Sequence, residues 1–300
     1  MSSPVLLHFE EDSAMAQAIA GPAGLTARII GKHRFPDGEL KLRLPTPLPR
    51  RVVVLRSLHQ PNEKLVELML IAGEASALGA SHLTLVAPYL AYMRQDIAFN
   101  PGEVVSQRVV GRFLATYFDA LITVDPHLHR VATLQEAAPV ATACVLSGAP
   151  VLADLIAKKI KNPLLIGPDA ESAQWIGQAA AVHGFDHGVC TKVRHGDHHV
   201  DTVLPDLSFI GRSVVLLDDI ASSGHTLASA ARLLLAAGAA SVDVAVTHAL
   251  FAANAMDVIK AAGIRDVWST DCVAHSSNAV SIASVLATAL LSQQPESSPS

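Results

Sequence analysis

Residues 214–227 read VVLLDDIASSGHTL. Asp218 and Asp219 stand side by side at the end of an apolar run, and Ser222, Ser223, Gly224, His225 and Thr226 follow at once. In open parallel sheets, ligands bind beyond the carboxyl ends of the strands. The helical pattern LASAARLLLAAG comes next, and a helix start offers unpaired N–H groups and the positive end of a dipole, a cradle for phosphate. Carboxylates are acceptors suited to vicinal sugar hydroxyls. One Asp or Ser capping the helix, with the other aspartate in water, would need no ligand. Burying an unpaired carboxylate, however, costs several kcal/mol, whereas charge-assisted hydrogen bonds from a diol return about 1.5–3 kcal/mol each. A sugar phosphate is therefore expected here, its phosphate on residues 222–226 and its hydroxyls on Asp218 and Asp219.

Other residues have chemistry to offer. In TKVRHGDHHVDT (191–202), Lys192 and Arg194 are two apart, so on a strand they would share one face and could address one phosphate chain; a solvated hairpin explains them as well. Arg94, soon after a strand pattern ending at Pro88, can grip phosphate with a planar fork of donors or lie in solvent. Asp169 follows PLLIGP and precedes the helical rhythm AESAQWIGQAAAV, where it is either a helix cap or a strand-end ligand. Asp125, His127 and His129 alternate in VDPHLH, but no third well-placed ligand for a transition metal is evident. FPDGE (35–39) reads by itself as a turn.

The elements that must hold these groups are α/β in character. Short β-branched runs at 52–55, 82–88, 120–125, 163–168, 213–217 and 242–248 alternate with helical patterns such as residues 62–80. Strands so uniformly apolar are covered on both faces, which calls for parallel sheets with crossover helices. RVVVLRSLHQPNEKLVELML and the later ALGASHLTLVAP resemble SVVLLDDIASSGHTLASAARLLL and AAGAASVDVAVTH, displaced by about 160 residues. The chain reads as two copies of one α/β domain, 1–148 and 149–291, with a disordered tail at 292–300. Only the second copy has the acidic strand end; the first has Arg56 and Ser57 there.

The chain has 300 residues, half of them hydrophobic, a formal charge of -5 and a pI near 6.2. Without a Lys/Arg run, it is not expected to bind nucleic acid through phosphate neutralisation. Three separated cysteines, Cys144, Cys190 and Cys272, suggest a reducing, cytoplasmic setting. No signal peptide is expected from MSSPVLLHFEED, and the uncharged stretch 273–294 is too interrupted by Ser, Asn278 and His275 for a membrane span.

VVLLDDIASSGHTL resembles the phosphoribosyl-binding signature of type I phosphoribosyltransferases. Joined by RFPDGEL (34–40), PYLAYMRQD (88–96) with PGEVVS, and VDPHLH (124–129), it resembles the ribose-phosphate pyrophosphokinase family over nearly the whole chain. That resemblance implies two tandem type I phosphoribosyltransferase-like domains, of which only the second keeps the phosphate loop. It also implies transfer of the β,γ-pyrophosphoryl group of Mg-ATP to the 1-hydroxyl of ribose 5-phosphate, giving phosphoribosyl pyrophosphate and AMP. By the same resemblance Phe35, Asp37 and Glu39 meet adenine, reaching the site from a neighbouring subunit of a homo-oligomer, and Arg94, Gln95 and Asp96 form a second ATP segment. His127 meets ATP and its Mg2+, Asp125 and Asp169 are linked to metal, Asp169 also to ribose, and Glu136 is a further metal-linked carboxylate. Lys192 and Arg194 open the catalytic loop.

The pattern departs from the family's in three places: Ile97 and Ala98 replace basic residues, His225 replaces a glycine, and PDAES lacks a glycine. A base phosphoribosyltransferase would leave the ATP-like segments unexplained. A non-catalytic regulatory homologue is the other alternative, although Lys192 and Arg194 are retained.

Overall fold

Because β-branched and leucine-rich runs recur between amphipathic stretches, the backbone alternates strand and helix throughout. The computed structural model describes residues 4–195 and 199–293, with 193–195 and 199–201 described through their backbone alone. His198 and most of the expected 292–300 tail fall outside the described residues, as do the side chains of Arg194, His195 and His199. The chain divides into two compact units, one of residues 4–146 with 283–293, the other of residues 147–282.

In the first unit the elements are β1 (Val5–His8), α1 (Ser13–Ala20), β2 (Thr26–Ile29), β3 (Gly31–Arg34), β4 (Leu40–Arg43), β5 (Arg51–Leu55), α2 (Pro61–Ala75), β6 (His82–Ala87), α3 (Ser106–Tyr117), β7 (Ala120–Val124), α4 (Leu134–Ala137) and β8 (Thr142–Leu146). The second unit contains α5 (Ala149–Lys159), β9 (Leu164–Gly167), α6 (Ala173–His183), β10 (Asp186–Val189), β11 (Thr191–His195), β12 (His199–Val203), β13 (Ser213–Ala221), α7 (His225–Ala236), β14 (Ser241–Ala249), α8 (Ala255–Ala261), β15 (Val267–Thr270) and β16 (Asn278–Val280). The final helix, α9 (Ala283–Ser292), packs on α1 and β8. It therefore belongs to the first unit, whereas the expected division counted it with the second half.

Each unit holds a six-stranded parallel sheet, ordered β2-β1-β5-β6-β7-β8 and β10-β9-β13-β14-β15-β16. Strand for strand the two orders are the same, as the sequence repeat suggests. Each unit also carries an antiparallel hairpin at the same point of its topology: β3–β4 in the first, β11–β12 in the second. The sheet centres are closed on both faces: Val52–Leu55 and Leu121–Val124 in one unit, Val214–Leu217 and Val242–Val246 in the other, are buried throughout, the polar Thr123 and Asp243 included. Alanines of α5, α6 and α7 seal the second sheet closely, as small side chains allow.

The end of β9 needs a particular residue. Gly167, the last of β9, sits where an added Cβ would lie 2.1 Å from the Ser172 hydroxyl and 3.2 Å from Ile176 Cγ1. That hydroxyl donates to the Asp169 carbonyl at 2.6 Å, tightening the turn that sets Asp169 at the sheet edge. Gly167→Ala is expected to destabilise the second unit by roughly 1–3 kcal/mol, as overpacked cores do, read as a lower denaturation midpoint. If the variant unfolds like the wild type, this turn does not depend on the missing side chain.

Candidate functional site

The second unit gathers its chemistry at the carboxyl ends of β9 and β13. β13 and β14 run for nine residues each, so pairing continues past the core: Asp218 lies opposite Val246, Ile220 opposite His248 and Ala221 opposite Ala249. The aspartates are thus inside the strand, and the expected strand end at Leu217 comes four residues too early. Period-2 alternation still turns successive side chains to opposite faces. Asp219 is buried, and Asp218 accepts a hydrogen bond from the Asp219 N–H at 3.0 Å.

Burial pushes the Asp218 carboxyl well above its ordinary 3.8, and the negative charges of Asp219 and Asp169 push it the same way. Three carboxylates therefore sit close enough to repel one another. Asp169, with extended backbone (φ -157°), caps a single 3-10 turn by accepting the Glu171 N–H at 3.2 Å. Its other oxygen takes a 2.6 Å ion pair from Lys192 Nζ. The cap reading of Asp169 thus describes one of its oxygens, and Lys192 takes the other.

After β13 the chain turns through Ser222 and Ser223 into Gly224, which takes a left-handed φ of 76° at the start of α7. A side chain there would also press on Ile259 Cγ1 at 3.0 Å and the Ala255 carbonyl at 3.2 Å, so glycine is required twice over. The Ser223 hydroxyl accepts from the His225 N–H at 3.5 Å. His225 and Thr226 are exposed, Ser222 is half-buried and Gly224 is buried. His225 is the first helical residue of α7.

Lys192 stands in β11 opposite Thr202, with the Arg194 backbone opposite Val200. The expected pairing of the two bases on one face follows from strand alternation, while the Arg194 side chain lies outside the described residues. Cys190, between β10 and β11, is buried; burial and the Asp169 charge raise its thiol to about 11, so it is no nucleophile.

The first unit brings its own set together. Asp125, buried at the end of β7, takes a left-handed φ of 36° and donates its N–H to the Leu146 carbonyl at 2.9 Å. Non-glycine residues persist in that region where surrounding structure holds them, often at sites of function. His127 and His129 bring their Nε2 atoms to 2.5 Å, ring edge to face. The next residue, Arg130, was not singled out from the sequence. Its Nη1 donates to Asp96 Oδ1 at 2.5 Å and ties the 125–129 turn to the 94–96 segment.

That bond gives Asp96 an anchoring role: its carboxylate is buried, while Arg94 and Gln95 stay exposed. Gln95 Oε1 accepts from the Ser106 hydroxyl at 2.9 Å. Glu136 accepts from the Thr133 hydroxyl at 3.2 Å, and the Thr133 side chain accepts from the Glu136 N–H at 3.3 Å, a reciprocal cap on α4.

Phe35, Asp37 and Glu39 occupy the tip of the β3–β4 hairpin, all exposed. The Phe35 N–H donates to the Glu39 carbonyl at 2.9 Å, and Asp37 Oδ1 accepts from the Glu39 N–H at 3.2 Å. His33 packs edge-on to the Phe35 ring at 4.9 Å. Among the described residues no helix is long and apolar enough to cross a membrane.

The chain is similar to known proteins over most of its length. Residues 5–117 match the model for the N-terminal domain of ribose phosphate pyrophosphokinase, and residues 135–267 match the phosphoribosyl transferase domain. A ribose-phosphate pyrophosphokinase of Methanopyrus kandleri is 34% identical over 95% of this chain and 98% of its own. One from Methanosarcina acetivorans is 32% identical over 91% and 98%. In fold, the crystal structure of phosphoribosylpyrophosphate synthetase from Mycobacterium smegmatis superposes with a TM-score of 0.82 at 23% identity, covering 96% of this chain and 98% of that one. With likeness of this degree running through both units and their strand-end loops, the chain belongs to the ribose-phosphate pyrophosphokinase family.

Proposed function

We propose that the protein transfers the β,γ-pyrophosphoryl group of ATP to the 1-hydroxyl of ribose 5-phosphate, releasing AMP and phosphoribosyl pyrophosphate. The observation that carries this reading is the β13 strand end. Mutually repelling carboxylates, Asp219 buried and Asp218 half-buried, stand shortly before a glycine turn and a helix start, so acceptors for a diol and donors for a phosphate are a few residues apart. The hydroxyls of Asp218 and Asp219's ligand replace the water that burial removed, and residues 222–226 receive its phosphate.

Lys192 stabilises the moving pyrophosphoryl charge, with Arg194 beside it on the strand. It is held by Asp169 at 2.6 Å, and a polyphosphate competes with Asp169 for the ammonium. The new bond forms between the ribose oxygen and the β-phosphorus, and the α,β-bridging bond breaks in line. Phe35, Asp37 and Glu39 receive adenine with Arg94 and Gln95, and Asp96 fixes their backbone through Arg130. Joint use of one nucleotide by hairpin tips and RQD segments of different copies makes a homo-oligomer the working form, in a cytoplasmic setting.

Magnesium fits this donor set. The carboxylates that raise Asp218 are hard oxygen donors in need of positive charge. Asp169 would hold it in the second unit, and Asp125 and His127 would meet it in the first through phosphate or bound water. The ion would supply charge neutralisation to the polyphosphate.

Protein mixed with Mg-ATP and ribose 5-phosphate is expected to form AMP and phosphoribosyl pyrophosphate in equal amounts. Lys192→Ala should lower kcat by about 10²–10³-fold, the usual effect of losing one transition-state donor. AMP no higher than with the Lys192→Ala, Arg194→Ala double variant would sink the assignment.

Asp218 also makes a pH prediction. Its folded pKa exceeds its unfolded value, so its contribution to stability is full below the ordinary carboxylate range and is lost as pH rises through the raised value. Without ligand, the stability of wild type relative to Asp218→Asn should therefore decline from pH 4 upward. A difference independent of pH would show that Asp218 titrates normally.

A further inference from the structure

The β3–β4 hairpin carries Phe35, Asp37 and Glu39, yet its ladder is a two-stranded sheet of its own. Something other than the main ladder must fix its direction. Lys32 and Arg34 alternate onto one face of β3, and Glu63 and Glu67, four residues apart, share one face of α2. Two strand residues advance about 6.6 Å and four helical residues about 6 Å, so the rows are in register. Lys32 Nζ donates to Glu67 Oε1 at 3.0 Å, and Arg34 pairs with Glu63.

Glu67 is itself held from below. It is completely buried, and its Oε2 takes bonds from Arg56 Nε at 2.8 Å and Nη2 at 2.6 Å. Arg56, 2% exposed, spends Nη1 on Asp12 at 2.8 Å and Glu11 at 2.9 Å. Glu11 returns to Lys32 at 3.1 Å, and both cations lie over the Phe9 ring, at 4.4 Å for Arg56 and 4.9 Å for Lys32. These contacts close a ring of charges running from the sheet through Arg56 and Glu67 to the hairpin.

The repeat makes the arrangement informative. Lys32-His33-Arg34 occupies the place in the first hairpin that Lys192-Val193-Arg194 occupies in the second, and Arg56-Ser57 stands where the second unit has Asp218-Asp219. In the first unit the basic pair is turned onto protein carboxylates, so it is engaged in structure.

We propose that Glu67, clamped by Arg56 and drawing Lys32 to it, is a positioning residue for the nucleotide loop, and that Lys32-x-Arg34 is the anchor by which residues 35–39 are aimed. This rests on the reading that residues 35–39 meet ATP. Its test has an arm independent of turnover. Lys32→Met removes the hairpin's half of the link at a partly exposed position, and Lys32→Arg restores a donor; Glu67→Gln keeps shape and removes charge.

Amide exchange across residues 31–43 should rise at least about fivefold in Lys32→Met and Glu67→Gln and return in Lys32→Arg. In the same variants KM for ATP should rise about tenfold, with kcat and KM for ribose 5-phosphate within twofold of wild type. Unchanged exchange in Lys32→Met, or equal rises in both KM values, would overturn the proposal. Should wild type itself form no AMP, the assigned reaction fails, and the exchange arm still decides the anchoring.

Discussion

A charge carried on the central strand of a parallel sheet, where that strand leaves the core, has to be answered by a partner. The two units meet this requirement in opposite ways. In the first, Arg56 beyond β5 is answered within the protein by Glu67, Asp12 and Glu11. Removing one partner of a buried pair of this kind typically costs about 3–5 kcal/mol, so the strand end is committed to structure. In the second, β13 carries Asp218 and Asp219, and the nearest carboxylate, Asp169, adds repulsion instead of relieving it. Asp218 there is held above its ordinary pKa by desolvation and neighbouring carboxylates, the reverse of the arrangement at Arg56.

The same contrast extends to the hairpins. Both units insert one between corresponding strands, and both hairpins begin with a basic-x-basic pair. In the first unit Lys32 has two carboxylate partners and Arg34 one. Lys192 has one ion pair among the described residues, to Asp169, which itself lies at the acidic strand end. One duplicated scaffold thus carries a hairpin tied down by several ion pairs and a basic strand whose counter-ion lies at the acidic strand end.

Much of this was legible in the sequence because it rests on local pattern. Buried parallel strands read as unbroken apolar runs, the duplication appeared as repeated text, and Asp218-Asp219 stood out because it interrupted that pattern. What stayed hidden depends on contacts between distant segments. Arg130 reaches Asp96 across 34 positions and Lys32 reaches Glu67 across 35, and nothing in either neighbourhood marks the partner. The Thr133–Glu136 cap of α4, by contrast, is a local signal, a Thr followed three residues later by Glu. Helix α9 joins the first unit through tertiary packing that an apolar periodicity leaves undirected. β13 overran its expected end because pairing with an equally long β14 outweighs the low strand preference of aspartate.

At the end of β13, desolvation and the charges of Asp219 and Asp169 raise the half-buried Asp218 carboxyl above its ordinary range, a shift that a bound sugar phosphate with metal would reverse. Infrared difference spectroscopy at mildly acidic pH addresses this directly. The account predicts a protonated-carboxyl carbonyl band that is present in the wild type, missing from Asp218→Asn, and lost when ribose 5-phosphate and magnesium are added. A band that is absent from the unliganded wild type, or that persists unchanged with both ligands bound, would contradict it.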